Sequence, residues 1–486
     1  MKGVKGLVAE MLAMRQDIKA LGKRVAELET ENAGLRRENS ALRDENAVLR
    51  SENMALRKAL EESRRAGKRQ AAPFSRGTRK QAPKTPGRKA GKAYGSQARR
   101  EPPAKIDNKI TVDCPLICPH CGGRVLLEGK TSQYQTDIPP IVPTTTEFEI
   151  HYGRCTRCQR RVQGRESSQT SDATGAVGGV QIGPSTIAIA AHLNKACGMS
   201  YARIAEVFDQ IFGLRVNRSS LARALLRLGR KAAPTYTNLI ERIRGSPVVS
   251  PDETGWRIGG DKAWLWTAVT PDTTVYQIEP GRGYAEAVKL LGEDFDGVLC
   301  VDGWAPYRGF EYAQIQTCLA HLLRRSKELR EAPPTLACAA YFANISAVLK
   351  EALALRDRRN AKTISNRGLR IAKGKIEAKM DRLLNEPDFH DESVRFAIHL
   401  NRYRDGLFLF LDRPDVDATN YRAEQAIRPA VINRKTSGGN RTSRGARAQA
   451  VIMSVQRTVK QRLLSAFDTF TQMLRDPTPR VHLLGR

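Results

Sequence analysis

From residue 11 to residue 60 the apolar positions return every seventh residue. Met14, Leu21, Leu28, Leu35, Leu42, Leu49 and Leu56 take one position of the repeat, and Leu60 follows on the other. A helix patterned this way presents one narrow apolar seam, which is buried by winding around a second helix. The other seam position holds Val25 and then Asn32, Asn39, Asn46 and Asn53. Asn there lowers stability while fixing register and favouring two strands. Beside the seam, Glu31, Glu38, Glu45 and Glu52 each stand five residues before Arg36, Arg43, Arg50 and Arg57, the offset at which opposite charges meet across a parallel pair. Residues 1–62 are therefore predicted as a parallel coiled-coil dimer. A lone helix laced with charge pairs gives no reason for Leu at every seventh residue.

The period then breaks. Between 63 and 105 a series of Lys and Arg residues faces only Glu101, with Pro and Gly scattered throughout; such a segment cannot bury a core and is predicted as a linker. It serves as a flexible spacer, as a phosphate-contacting strand, or as both. Strand-like TSQYQTDI and TTEFEIHYGR follow, flanked by Cys118-Pro-His-Cys121 and Cys155-Thr-Arg-Cys158. Two thiolate pairs in tight turns supply the four soft ligands of tetrahedral zinc, so 106–165 is predicted as a small zinc-binding β module. His120 or His151 could replace a thiolate, and a redox pair is the rival reading of each Cys-x-x-Cys.

A helical period rules 183–245: GPSTIAIAAHLNKA, SYARIAEVFDQIFG and, after a short turn ending at Asn217, RSSLARALLRLGRKA. This is a helix-turn-helix pattern, with Asn217 as N-cap and Arg218, Ser219, Ser220 and Arg223 placed to reach a groove or phosphates; an ordinary helical hairpin has the same pattern. From 246 the period becomes strand-like: SPVVSPDET, AWLWTAVT and TTVYQIE, a helix AEAVKLLG, then GVLCVDGW, IQTC and the helix LAHLLRRSKEL. Three strands, a helix and further strands are the order of a ribonuclease-H-like mixed sheet. Residues 246–325 and 413–475 are predicted as its two parts, separated by an all-helical, basic insertion over 326–412 that lines a DNA channel, with a tail at 476–486. The fold class is multidomain α+β.

Composition narrows the partner. A formal charge of +30 and an isoelectric point near 10.1 exceed what solubility needs and point to a polyanion bound by phosphate neutralisation. No run of about 18 apolar residues suits a membrane span and no signal peptide opens the chain, so an intracellular, cytoplasmic protein that joins the nucleoid when bound to DNA is expected, with no membrane partner. Nine cysteines in 486 residues do not make a disulfide scaffold. Outside the two pairs, Cys114, Cys197, Cys300, Cys318 and Cys338 read as small buried side chains.

In the predicted sheet the first strand ends at Asp252 and the fourth at Asp302, which puts two carboxylates on adjacent strands. In-line attack on a phosphodiester develops charge on the entering and leaving oxygens, and two divalent ions held by carboxylates stabilise both. Hard oxygen ligands suit Mg²⁺, with Mn²⁺ as a substitute. A third acid comes from a later helix, where DATNYRAEQAIRPAVINRK offers Glu424 one turn before Arg428. Asp412, Asp415 and Asp417 lie in a Pro-containing loop and read as turn and cap residues. Glu253 points to the opposite face from Asp252 as a supporting residue, and Trp256, Trp264, Trp266 and Trp304 read as core and sheet-face aromatics.

These motifs carry a resemblance. Pro-Asp-Glu-Thr-Gly at 251–255, Asp302-Gly-Trp with Tyr307, Cys318-x-x-His321 with Arg324 and Arg325, and Asn420-x-x-Ala423-Glu424-x-x-x-Arg428-Pro429 together resemble the insertion sequence 66 family of bacterial transposases over nearly the whole chain. The resemblance implies a ribonuclease-H-like fold and a metal-binding triad of Asp252, Asp302 and Glu424. It also implies His321 near the scissile phosphate, Arg324, Arg325, Arg428, Arg434 and Lys435 against DNA, and small companion proteins of the same element. Tyr421 and Gln425 depart from it, standing where the family usually has Asn and Arg.

Two other functions remain open at this level. A zipper-type regulator would place a continuous basic helix before the zipper, whereas here the basic run follows it and is broken by Pro and Gly. A ribonuclease-H-type nuclease would share the acids and hydrolyse without joining. The coiled coil is testable on its own: a peptide of residues 1–62 should sediment as a parallel dimer, and replacing Asn32, Asn39, Asn46 and Asn53 with Ile should raise its melting temperature while admitting higher oligomers. A wild-type peptide monomeric at high micromolar concentration, or antiparallel cross-links, would contradict the reading.

Overall fold

The structure is a computed structural model that describes residues 2–67, 101–170, 181–331, 335–386, 390–482 and 484. Most of the basic linker, 68–100, lies outside the described residues. The chain divides into two compact units, Met1–Asp137 and Ile138–Arg486.

In the first unit, helix α1 (Lys2–Gly67) runs 66 residues, about 100 Å at the usual rise. Its apolar seam stays open to solvent within one chain: Leu28, Leu42 and Leu49, the best covered, are still 42–49% exposed. Asn46 and Asn53 turn their amides back onto the Leu42 and Leu49 carbonyls at 3.2 Å. Further on, Cys118 and Cys121 form a tight knuckle. The Cys118 N–H donates to Gly123 and its carbonyl accepts from Gly122, with Gly122 in the left-handed region at φ 73°.

The second unit opens with a matching knuckle. Strands β1 (Tyr152–Arg154) and β2 (Arg161–Gln163) pair antiparallel and carry Cys155 and Cys158 in the turn between them. The expected strands over 131–138 and 145–151 do not form among the described residues. Alternation there is not matched by a partner within hairpin reach, and pairing is confined to the residues that flank the knuckle.

Three helices follow: α2 (Pro184–Lys195), α3 (Tyr201–Phe212) and α4 (Arg218–Arg244). Ser200 caps α3 and Gly213 ends it in the left-handed region, while the Asn217 side chain accepts the Ser219 N–H to start α4. Helix α4 runs on through Pro234 to Arg244, longer than its sequence pattern suggested. The sheet is built from β3 (Val248–Ile258), β4 (Asp261–Val269), β5 (Thr274–Glu279), β6 (Val298–Val301) and β7 (Gln314–Thr317), with α5 (Tyr284–Leu291) between β5 and β6. Spatial order is β5-β4-β3-β6-β7. The first three strands are antiparallel neighbours, and β6 and β7 run parallel to β3. Gly259 and Gly260, both at positive φ, make the two-residue turn that a tight β3–β4 hairpin requires.

Helices cover both faces. Leu299 and Val301 point into a core with α2–α5, α12 (Ser443–Gln461) and α13 (Ala466–Arg475), whereas Val298 and Cys300 point into a second core. That second core is formed with α6 (Leu319–Glu331), α7 (Leu336–Asn360), α8 (Asn366–Asn385), α9 (Asp391–Asn401) and α10 (Leu409–Asp412). By length and composition α7 could cross a membrane, but its Phe342, Ile345, Leu349 and Ala352 are fully buried in this helical layer. Helix α4 approaches α12 closely at Gly229, where a Cβ would stand 2.8 Å from that of Ala448. The outer edge of β5 is covered: Thr458 and Ser454 of α12 accept its Thr274 and Tyr276 N–H groups, which closes an edge that would otherwise invite another strand.

Candidate active site

Side chains alternate along a strand, and this sets the site. Even-numbered residues of β6 face the second core, so Asp302, just past its end, emerges on that side. Val248 lies opposite Val298, and continuing this register brings Asp252 level with Asp302. Asp252 sits within β3, which runs on to Ile258 instead of ending at the acid; hairpin pairing with β4, Asp252 against Thr267, extends it. Helix α11 (Tyr421–Ser437) crosses the same side and carries Glu424 in its first turn.

Asp252 feels the other two carboxylates. Asp252 is pushed up from 3.8 to about 7, first by burial, then by the negative charges of Glu253, Asp302 and Glu424, against the opposing bond from the Glu253 N–H. Backbone N–H groups orient the pair: Glu253 donates to Asp252 Oδ1 at 2.8 Å and Trp304 to Asp302 Oδ1 at 3.0 Å. His321, one turn into α6, brings Nε2 to 3.7 Å from Glu424 Oε1. Its pKa is raised by the Cys318 sulfur and by Asp302, against burial and the Arg324 charge. Burial pushes the Cys318 thiol up, but bonds from His321 and the Asn420 N–H outweigh it, and the net shift is downward. The other acids nearby are engaged elsewhere: Asp412 with Lys373, Asp415 with Arg413 and Asp417 with Arg422. Among the described residues no three His, Cys, Asp or Glu side chains are drawn together as a ready metal cage; like charges without a counter-ion hold one another apart.

Behind the acids, on the opposite face, Glu253 is buried and accepts from Arg282 Nη2 at 2.7 Å and from the Tyr307 hydroxyl at 2.8 Å. The Arg282 guanidinium lies 3.7 Å from the Trp304 ring centroid and 4.6 Å from that of Trp264. Alternation foretold that Glu253 would face away from Asp252, but nothing in the local pattern marked Arg282 as its partner, because the contact joins β3 to the loop before α5. Trp256 and Trp266 are buried core residues.

Of the groups expected to meet nucleic acid, Arg218, Ser219 and Arg223 are exposed at the start of α4 and Ser220 is half-buried. Arg324 and Arg325 are exposed on α6 beside His321, with Arg325 over the Phe396 ring. Arg428 and Lys435 are exposed on α11. Arg434 is different: it is half-buried and donates to the Gly255 carbonyl and to Thr254 Oγ1, fastening α11 to β3. The two knuckles bear the same chemistry separately. Backbone N–H groups of His120 and Cys121 lower the Cys118 thiol, and those of Cys158 and Arg157 lower Cys155.

The raised Asp252 carboxyl has a consequence for stability. The metal-free folded state holds this proton more tightly than the unfolded chain does, so its contribution is fully present below about pH 4 and is lost as pH rises through about 7. Between pH 5 and pH 8 the melting temperature of metal-free protein should fall more steeply for the wild type than for Asp252→Asn. The variant should gain about 2–4 °C at pH 8, the effect of roughly 1 kcal/mol. Parallel curves for the two would show that Asp252 titrates normally.

No curated protein matches the chain. The model of the transposase IS66 family matches residues 179–448, more than half of the sequence and the whole stretch from α2 through the acids on β3, β6 and α11. The chain belongs to the IS66 family of transposases.

Proposed function

We propose that the protein is a DDE-type transposase that binds the ends of an insertion sequence and carries out metal-dependent strand cleavage and strand transfer. What supports this is the placement of Asp252 on β3, Asp302 just past β6 and Glu424 in the first turn of α11 on one side of the sheet, where burial first, and then the charges of Glu253, Asp302 and Glu424, push the Asp252 carboxyl up to about 7. The strand order, with three antiparallel strands and two parallel to the first, supports reading the sheet as ribonuclease-H-like.

An all-carboxylate donor set with unneutralised charge fits hard divalent cations, so Asp252, Asp302 and Glu424 would hold two Mg²⁺, or Mn²⁺ in their place. When bound, such ions stabilise charge on the entering and leaving oxygens of an in-line displacement. The chain's own residues do the rest. The Glu253 and Trp304 N–H groups aim the two aspartates. His321, whose pKa is raised by the Cys318 sulfur and by Asp302, stands beside Glu424, where it would donate a proton to a phosphate drawn into the site. Arg324, Arg325, Arg428 and Lys435 offer exposed cations for backbone phosphates, which position DNA without reading sequence. Water as nucleophile gives cleavage, and a 3′-hydroxyl gives joining.

Assembly follows from α1, whose open seam supports a parallel homodimer that places two catalytic units on two element ends. Cys118, Cys121, Cys155 and Cys158 would hold one structural Zn²⁺, as the two Cys-x-x-Cys turns suggest. Small companion proteins of the same element fit the family and complete the expected partners.

Asp302→Asn and Glu424→Gln should each reduce end cleavage and strand transfer by on the order of a thousandfold or more, as for groups that act as a unit, while binding of element ends persists. Joined products in the wild type distinguish transposase from nuclease; a Glu424→Gln enzyme that cuts near the wild-type rate would remove Glu424 from the triad. For zinc, metal analysis should find one ion per chain, lost in a Cys121→Ser, Cys158→Ser double variant because ligation and local folding are coupled. Unchanged zinc in that variant would place the ligands elsewhere.

A further inference from the structure

We infer that Asn420 and Cys318 are positioning residues that together fix the spacing of the three carboxylates. The inference rests on the triad reading of Asp252, Asp302 and Glu424.

Asn420 is 1% exposed and stands immediately before α11. An Asn in that place ordinarily turns Oδ1 onto a free N–H of the first turn, as Asn217 does for Ser219 at 3.0 Å. Asn420 forms no such cap. Its Nδ2 reaches away from the helix and donates to the Pro251 carbonyl at 2.8 Å, one residue before Asp252. Its own carbonyl accepts the Glu424 N–H at 3.1 Å, and its N–H donates to Cys318 Sγ at 3.2 Å. Cys318, also buried, donates its N–H to the Val301 carbonyl at 2.7 Å, one residue before Asp302. Beside it the Leu319 N–H donates to Ala418 at 2.9 Å.

A continuous set of hydrogen bonds therefore joins the residue before the first aspartate, the residue before the second, and the backbone N–H of the glutamate through Asn420 and Cys318, the Asn420 amide and the Cys318 sulfur supplying the side-chain links and their main chains the rest. Asn420 Oδ1 is left buried with no hydrogen-bond partner among the described residues. A buried polar atom is seldom left unmatched, and the capping geometry that would have matched it has been given up for the link to β3. Stability of α11 alone would have favoured the cap. What the observed arrangement secures is the distance from α11 to the two strands. The Cys318 carbonyl also accepts the His321 N–H at 3.2 Å, so the same junction holds the start of α6, from which the imidazole reaches Glu424.

The test uses the full chain on pre-bound DNA ends and measures single-turnover cleavage against Mg²⁺ concentration for Asn420→Ala, Cys318→Ala, Cys318→Ser and, as a control, Asp302→Asn. Asn420→Ala should cleave roughly a hundredfold more slowly, the loss that about 1 Å of misplacement brings. Its half-saturating Mg²⁺ should rise about tenfold, the lower range for lost support behind metal ligands, with DNA affinity unchanged within about twofold of the wild type, a margin of roughly 0.4 kcal/mol. Cys318→Ala should move both quantities the same way, and Cys318→Ser, which keeps an acceptor for the Asn420 N–H, should recover most of the loss. A merely structural role would lower the active fraction without moving the metal dependence. Wild-type half-saturation in Asn420→Ala and Cys318→Ala, with Asp302→Asn inactive, overturns this inference and leaves the triad standing; an active Asp302→Asn overturns the triad and this inference with it. Should Asn420→Ala fail to fold, the Cys318 pair decides by the same criterion.

Discussion

The constraint behind this site is the burial of carboxylates at one sheet, where each charge also meets its acidic neighbours. Left to themselves, acids in a partly buried place move apart or take up protons, and Asp252 does the latter, keeping its proton to about pH 7. A fold that persists with such a cluster must be held by contacts that the cluster does not supply. Here those contacts are backbone hydrogen bonds and apolar layers on both faces of the sheet, so the charge can be concentrated at one place.

The supporting structure is arranged around that demand. The β3–β4 hairpin carries Asp252 through the middle of a long strand, and α12 closes the far edge of the sheet through the hydroxyls of Ser454 and Thr458. Helix α11 is tied to β3 at both ends, through Asn420 to Pro251 and through Arg434 to Thr254. Glu253 uses the opposite face of the same strand to bind Arg282 and Tyr307, which anchors the strand from behind. Cations beyond these structural ones, Arg324, Arg325, Arg428 and Lys435, remain exposed toward a polyanionic partner.

Much of this was legible in the sequence because it depends on period and local chemistry. The seam of α1, the cap at Asn217, the two cysteine turns, the strand order and the position of Asp302 at the end of β6 are all local signals. What stayed hidden depends on partners distant in the chain. Asp252 falls inside its strand because β4 pairs with it to the end of the hairpin. Residues 131–138 alternate like a strand yet form none among the described residues. Arg434 was expected against DNA from the family resemblance, and its engagement with β3 could be known only once α11 was placed across the sheet. Asn420 appeared as a motif residue with no role, since its hydrogen bond spans 169 positions.

The central claim is that Asp252, Asp302 and Glu424 share divalent cations. It is tested most directly by diffraction from crystals of the full chain bound to an element end and soaked in Mn²⁺, with anomalous scattering locating the metal. The account predicts Mn²⁺ peaks ligated by carboxylate oxygens of all three residues, with Asp252 deprotonated and Glu424 turned toward the aspartates. Peaks elsewhere, or Mn²⁺ between the aspartates with Glu424 facing away, would contradict it.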